Sequence, residues 1–173
     1  RPDPSAISAY IHPTKYGSYL PDEMRRETYL ESVQRVKHMH QLRFADIPQV
    51  QPLIDKVFDK FVATKRLLPS MRSLQFGGKA QLAHHARSYN CCSTYVDRPR
   101  VFQEIFYLLL CGCGVGYSVQ DHHVAKLPTL ARFEPETCRV VHHTIEDTIE
   151  GWADAAGALI QSVLEGYYVE FNY

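Results

Sequence analysis

Five cysteines carry most of the chemistry this chain can offer: the adjacent Cys91 and Cys92, the close pair Cys111 and Cys113, and Cys138. A thiol can serve as a reductant, a metal ligand or a small apolar filler, and its surroundings decide which. Cys91 and Cys92 sit in Tyr89-Asn90-Cys91-Cys92-Ser93-Thr94-Tyr95-Val96, a run of residue types that suits a strand. Adjacent side chains on a strand point to opposite faces, so one face can present only one of the two thiols. A disulfide between the two would depart from relaxed disulfide geometry. An odd count with adjacent members also does not make a secreted disulfide framework.

Cys111-Gly112-Cys113 and the pairs His84-His85, His122-His123 and His142-His143 raise the question of zinc. Structural zinc sites use a cysteine knuckle with roughly two to four intervening residues and a second ligand pair at matching spacing. One intervening residue lies outside that pattern, so no metal site is expected and Cys111 and Cys113 read as apolar fillers among glycines. Gly112 to Gly116 has Gly-x-Gly character, but a dinucleotide cradle follows a strand and opens a helix. Here the glycines follow a helical stretch, which points to a conformational role.

The elements that must hold these groups follow from punctuation and period. Residues 1–20 are rich in Pro, Ser and Tyr without helical period and read as an extended arm. Thr28 and Glu31 make a capping box for a helix from about Tyr29 to His40. Val50, Leu53, Ile54, Val57, Phe58, Phe61 and Val62 then form one apolar stripe. Leu68-Pro69 stops that helix, since a residue before proline leaves the helical region. Gly77-Gly78 marks a turn. After the cysteine strand, Pro99-Arg100 opens a helix through about Leu110 that is apolar nearly all round and expected to be buried on more than one side. Thr144 and Asp147 read as a second capping box, ahead of a helix that ends near Glu165 with Gly166 as its C′ residue. Tyr167 to Tyr173 alternates with the period of a strand. The class implied is α/β.

Lys and Arg together balance Asp and Glu, and the 45% hydrophobic and 22% charged fractions sit near the globular average. A soluble chain follows, with no electrostatic footprint for nucleic acid. No apolar run approaches the about 20 residues that span a bilayer, and Arg1-Pro2-Asp3-Pro4 has no signal-peptide character, so the cytoplasm is the expected location. The absence of an initial Met and the strand pattern at Tyr173 read as cut ends.

Several stretches, in order and spacing, resemble the amino-terminal part of the ribonucleotide reductase catalytic subunit, with the adenosylcobalamin-dependent group the nearest. They are Ser70-Met71-Arg72-Ser73-Leu74-Gln75-Phe76-Gly77-Gly78, Tyr89-Asn90-Cys91, Val96-Asp97-Arg98-Pro99-Arg100 and Cys111-Gly112-Cys113-Gly114-Val115-Gly116-Tyr117-Ser118-Val119. Lys15 to Leu20, Arg26-Glu27-Thr28 and Asp147 to Ala153 extend the likeness over nearly the whole chain. The resemblance implies an extended arm and helical region over 1–68, then the first strands and helices of a ten-stranded α/β barrel over 69–173, incomplete in this chain.

It also implies thiyl-radical reduction of ribonucleoside di- or triphosphates, with adenosylcobalamin as cofactor, a deoxynucleotide effector, a thioredoxin-like reductant and the downstream remainder of the catalytic chain as partner. Cys91 takes the position of one of the two reducing thiols, because aligning Asn90-Cys91 keeps Val96-Asp97 and Pro99-Arg100 in register. Cys92 and Cys113 stand where the group often has small residues. Ser70 and Asn90 fall at substrate-contacting positions, although turn bonding by Ser70 and backbone pairing by Asn90 are equally available. Asp97 falls near the effector ribose, or else caps the following helix. Lys126 is a candidate for effector phosphates, or a solvated lysine. Trp152 reads as packing. A non-catalytic nucleotide-binding or assembly module on the same fold is the rival reading.

Overall fold

The computed structural model describes residues 4–173 and divides into two compact units, one ending at Ser88 and the other running from Tyr89 to Tyr173. The division falls between Ser88 and Tyr89 rather than after residue 68.

The first unit is helical. Helix α1 (Pro4–Lys15) stands where an extended arm was expected; residues 1–3 of that arm lie outside the described residues. Proline costs little in a first turn, and Pro13 forfeits a single N–H close to the helix end. The amides of Tyr16 and Gly17 both close on the carbonyl of His12, at 2.8 and 3.0 Å. Strands β1 (Tyr19–Leu20) and β2 (Arg25–Arg26) form a short antiparallel hairpin. Helix α2 (Tyr29–Arg43) starts at the expected capping box, with Thr28 and Glu31 bonded reciprocally.

Helix α3 (Gln51–Val57) continues into a wider π-type turn over Phe58–Val62. The widening rotates the stripe: Ile54, Phe58 and Val62 are buried, whereas Leu53 and Phe61 face out. Helices α4 (Met71–Phe76) and α5 (Lys79–Ala83) follow. The core comprises Val33, Val36, Met39, Ile54, Phe58, Val62 and Leu74.

A buried ion pair ties this unit together. Glu27 is 5% exposed and accepts from Arg35 Nη2 at 2.8 Å, from the Ser32 hydroxyl at 2.9 Å and from the Ser18 amide at 3.0 Å. Arg35 also donates to the carbonyls of Leu74, Gly77 and Tyr16. One guanidinium therefore joins the end of α1, the hairpin exit, α2 and the end of α4. A Cβ at Gly77 would lie 2.8 Å from Val36 Cγ2 and 2.4 Å from the Ser73 carbonyl oxygen, so glycine lets α4 close on α2 here.

The second unit consists of two βαβ motifs. Strands β3 (Cys91–Tyr95) and β4 (Gly114–Ser118) are parallel and joined through α6 (Val101–Leu110). A short α7 (Asp121–Val124) follows. Strands β5 (Val140–Thr144) and β6 (Tyr168–Asn172) are parallel and joined through α8 (Ile149–Glu165). Helices α6 and α8 pack on each other, with the Gln103 amide donating to Asp154 and Gly157 admitting the Gln103 side chain.

Helix α8 is capped by Thr148, whose hydroxyl accepts from the Gly151 amide at 2.9 Å, not by Thr144, which ends β5. Its other end turns at Gly166 with φ +73°, as expected. Helix α6 is less buried than its composition implied: Val101 is fully buried, but Phe106, Leu109 and Leu110 are exposed. Strand β5 was not anticipated. Trp152 is half-buried, its ring 5.9 Å from that of Tyr173.

Candidate functional site

Strand β3 lies on β4 in a register that sorts the two adjacent thiols. Cys91 pairs with Gly114, Cys92 with Val115, Ser93 with Gly116, Thr94 with Tyr117 and Tyr95 with Ser118. Cys91, Ser93 and Tyr95 are exposed, while Cys92 and Thr94 are half-buried. Partners in register share a face, so the accessible face carries Cys91 beside bare Gly114 and Ser93 beside bare Gly116. A Cβ at Gly114 would lie no closer than 3.6 Å to its nearest neighbour, and at Gly116 no closer than 4.0 Å. Glycine is not required there by the backbone. Its effect is to leave the floor next to the Cys91 thiol clear.

Asn90 sets the start of this ladder, its carbonyl accepting from the Gly114 amide at 2.8 Å. Cys111 and Cys113 are buried on either side of Gly112, and the Cys113 thiol contacts the Tyr89 carbonyl at 3.4 Å. They are fillers at the turn that brings the chain from α6 into β4. Cys138 is half-buried in the loop before β5. Among the described residues no three His, Cys, Asp or Glu side chains gather in a way that could hold a metal ion.

The carboxyl ends of β3 and β4 gather a second group of side chains that sequence reasoning did not assemble. The Tyr95 and His123 rings lie 4.5 Å apart, the His122 ring is tilted against that of His123 with centroids 3.9 Å apart, and His123 Nδ1 is 3.1 Å from the Ser118 hydroxyl. The His123 pKa is lowered, by loss of water first, then by His122 and Lys126, with Asp97 opposing. Asp97 and Lys126 thus act on one imidazole from opposite sign. The histidine pair was visible in the sequence; the parallel register that carries it to Tyr95 was not.

Asp97 does not cap α6. Its carboxylate accepts from Arg98 Nη1 at 2.7 Å, and Arg98 also donates to Glu104, whose hydrogen bond is the larger cause of the raised Arg98 pKa, ahead of Asp97. Lys126 is exposed after α7. In the first unit, Ser70 is the N-cap of α4, its hydroxyl accepting from the Ser73 amide at 3.2 Å. The structure therefore brings Asn90 to Cys91 along one strand and Asp97 and Lys126 around His123.

No protein-family model matches the chain. An adenosylcobalamin-dependent ribonucleoside-triphosphate reductase of Lactobacillus helveticus (strain DPC 4571) is 25% identical over 206 residues, a match that takes in 84% of this chain and 28% of the relative. A crystal structure of a B12-dependent (class II) ribonucleotide reductase superposes with a TM-score of 0.73 at 18% identity, over 94% of this chain and 32% of the solved one. The chain spans about three-tenths of the length of these relatives. In sequence and in fold, it resembles a segment of the adenosylcobalamin-dependent ribonucleotide reductases.

Proposed function

We propose that this chain is the part of an adenosylcobalamin-dependent ribonucleotide reductase that supplies one of two reducing thiols, Cys91, from the first strand of a ten-stranded α/β barrel. The observation that carries this reading is the register of β3 on β4, which sets Cys91 on the accessible face beside Gly114 and turns Cys92 to the half-buried side.

Reduction at the ribose 2′ carbon breaks a C–O bond and forms a C–H bond, and the hydroxyl departs as water. Two thiols balance the step: together they give up two electrons and two protons and join as a disulfide. Cys91 is one sulfur; its mate and the thiyl cysteine that abstracts the 3′ hydrogen belong to the downstream remainder of the enzyme. The clear floor at Gly114 and Gly116 lets a sugar approach the Cys91 thiol without a side chain between them. Asn90 contacts the substrate, a ribonucleoside di- or triphosphate, and a thioredoxin-like dithiol restores the thiol pair.

The accessible face of β3 and β4 offers a thiol, hydroxyls and bare backbone, a set that suits a ribose better than a corrin. No residue here is therefore assigned to hold the cofactor, which supplies the initiating radical when bound. A deoxynucleotide effector binds at the carboxyl ends of β3 and β4, where α/β sheets place ligands, with Asp97 on the ribose, Lys126 on phosphate and the Tyr95 and His123 rings beside the base.

The test is an assay of the chain assembled with its downstream remainder. Cys91→Ser lowers multiple turnover with dithiol by about three orders of magnitude, whereas Cys92→Ser stays near the parent rate. Equal losses overturn the assignment. Effector binding without any product formation would instead support the non-catalytic module.

A further inference from the structure

The first unit contains a cleft of about 840 Å³, within the size range of small-molecule sites. It lies between α1, the hairpin exit and residues 65–74. Its walls are largely apolar, with the faces of Tyr16 and Tyr29 and the side chains of Ile11, Leu68 and Leu74 among its lining. Ser70 is not among the lining residues, and nothing in the chemistry proposed for Cys91 uses this cleft.

Its charge is unbalanced. Arg26 and Lys65 line it, and neither has a carboxylate partner among the described residues. The carboxylate that lines it, Glu27, is already neutralised by Arg35 at 2.8 Å. His12, also lining, is held toward its neutral form by burial, with its Nε2 engaged by the Ser32 hydroxyl at 3.1 Å.

Lys65 is placed at a cost. Its φ is +59°, at the end of the turn where glycine would be the unstrained residue. In that conformation its ammonium lies 5.0 Å from the centre of the Tyr29 ring, whose hydroxyl is anchored on the Val62 carbonyl at 2.6 Å. A helix end alone does not require a lysine there. The exposed ammonium over the Tyr29 face at the rim of this cleft gives the strained position a use.

We propose that this cleft is a second binding site, taking a small organic anion with a flat aromatic body and one phosphate or carboxylate. The body stacks among Tyr16, Tyr29 and the aliphatic walls, and the anion meets Lys65 and Arg26. The inference is independent of the reductase reading, since the probe binds or fails to bind whether or not Cys91 turns over.

The experiment is a titration of the 173-residue chain, held below the micromolar range in which it self-associates, with 1-naphthyl phosphate, 1-naphthol and inorganic phosphate, followed by fluorescence and, for inorganic phosphate, by its displacement of naphthyl phosphate. Naphthyl phosphate should saturate and bind about tenfold tighter than either fragment, a difference typical of one charge-assisted hydrogen bond. Lys65→Gly, which relieves the positive φ and so keeps the fold, and Arg26→Gln should each weaken naphthyl phosphate about five- to tenfold while leaving naphthol unchanged. Lys60→Gln on the outer surface should change nothing. Equal affinity for naphthol and its phosphate, or wild-type affinity in both Lys65→Gly and Arg26→Gln, would overturn the proposal.

Discussion

Cys91 and Cys92 are chemically identical and one position apart, so only their faces can distinguish them. In the native chain, brief alkylation with iodoacetamide should modify Cys91 first, Cys92 and Cys138 later, and Cys111 and Cys113 only after unfolding; labelling of Cys111 at the rate of Cys91 would contradict the register. A second residue-scale expectation concerns Glu27. Burial raises its pKa, but Arg35 first, then Ser18 and Ser32, bring it below the ordinary carboxylate value. Its contribution to stability is therefore complete above the unfolded value near pH 4.5 and is lost as pH falls through the lower folded one. Glu27→Gln should cost about 3 kcal/mol at pH 7, because Arg35 keeps its burial and loses its counter-charge. Urea unfolding should also show a flatter acid limb for the variant. That the two thiols take opposite faces was legible in the sequence because a strand's period is fixed, whereas which of them is exposed emerges only from the packing around β3 and β4. The Glu27–Arg35 pair was not, since eight residues and a change of element separate its members and no local pattern marks them.

Helix ends were legible where one residue type marks the cap, a hydroxyl at Thr28 and a left-handed glycine at Gly166, and misread where two candidates competed. Thr144 and Thr148 both offer a capping hydroxyl, and β5 claims the first of them through its pairing with β6. Strand β5 went unseen because Val140 to Thr144 is strand-like only once a parallel neighbour satisfies its backbone. Helix α1 was hidden by its prolines, which composition weighs heavily and position excuses. Glycine substitutions separate structural from functional roles at this scale. Gly151→Ala sets a Cβ 2.3 Å from the Glu146 carbonyl oxygen, and Gly166→Ala adds strain at φ +73° with a Cβ 2.8 Å from the Arg132 carbonyl oxygen. Each should cost more than about 1 kcal/mol in thermal unfolding. Gly114→Ala meets nothing closer than 3.6 Å, so it should leave the melting temperature nearly unchanged while lowering turnover in the assembled enzyme. An unaffected rate would remove the clear floor from the proposed mechanism.

Across the whole molecule, apolar surface remains uncovered on the helices of the second unit: Phe106, Leu109 and Leu110 on α6, and Leu159 and Val163 on α8. Among the described residues, each parallel strand pair also stands alone, with outer edges free to accept another strand. The chain by itself should self-associate at micromolar concentration in sedimentation velocity, and Leu109→Lys with Val163→Lys should reduce the effect; a monodisperse parent at about 100 μM would contradict this. The α/β class was legible because a strand, a helix and a glycine turn, then a helix and a strand, stand in sequence order even with β5 unread. The balance of exposure was not, since an all-round apolar helix reads as buried whatever is present to cover it. In the first unit, Arg35 fastens carbonyls at Tyr16, Leu74 and Gly77 that are far apart in the chain. Segments held by one clasp cannot fray separately, so amide protons near all three should exchange with solvent at a shared opening free energy, and loosening any one strand of that knot should release the others in step.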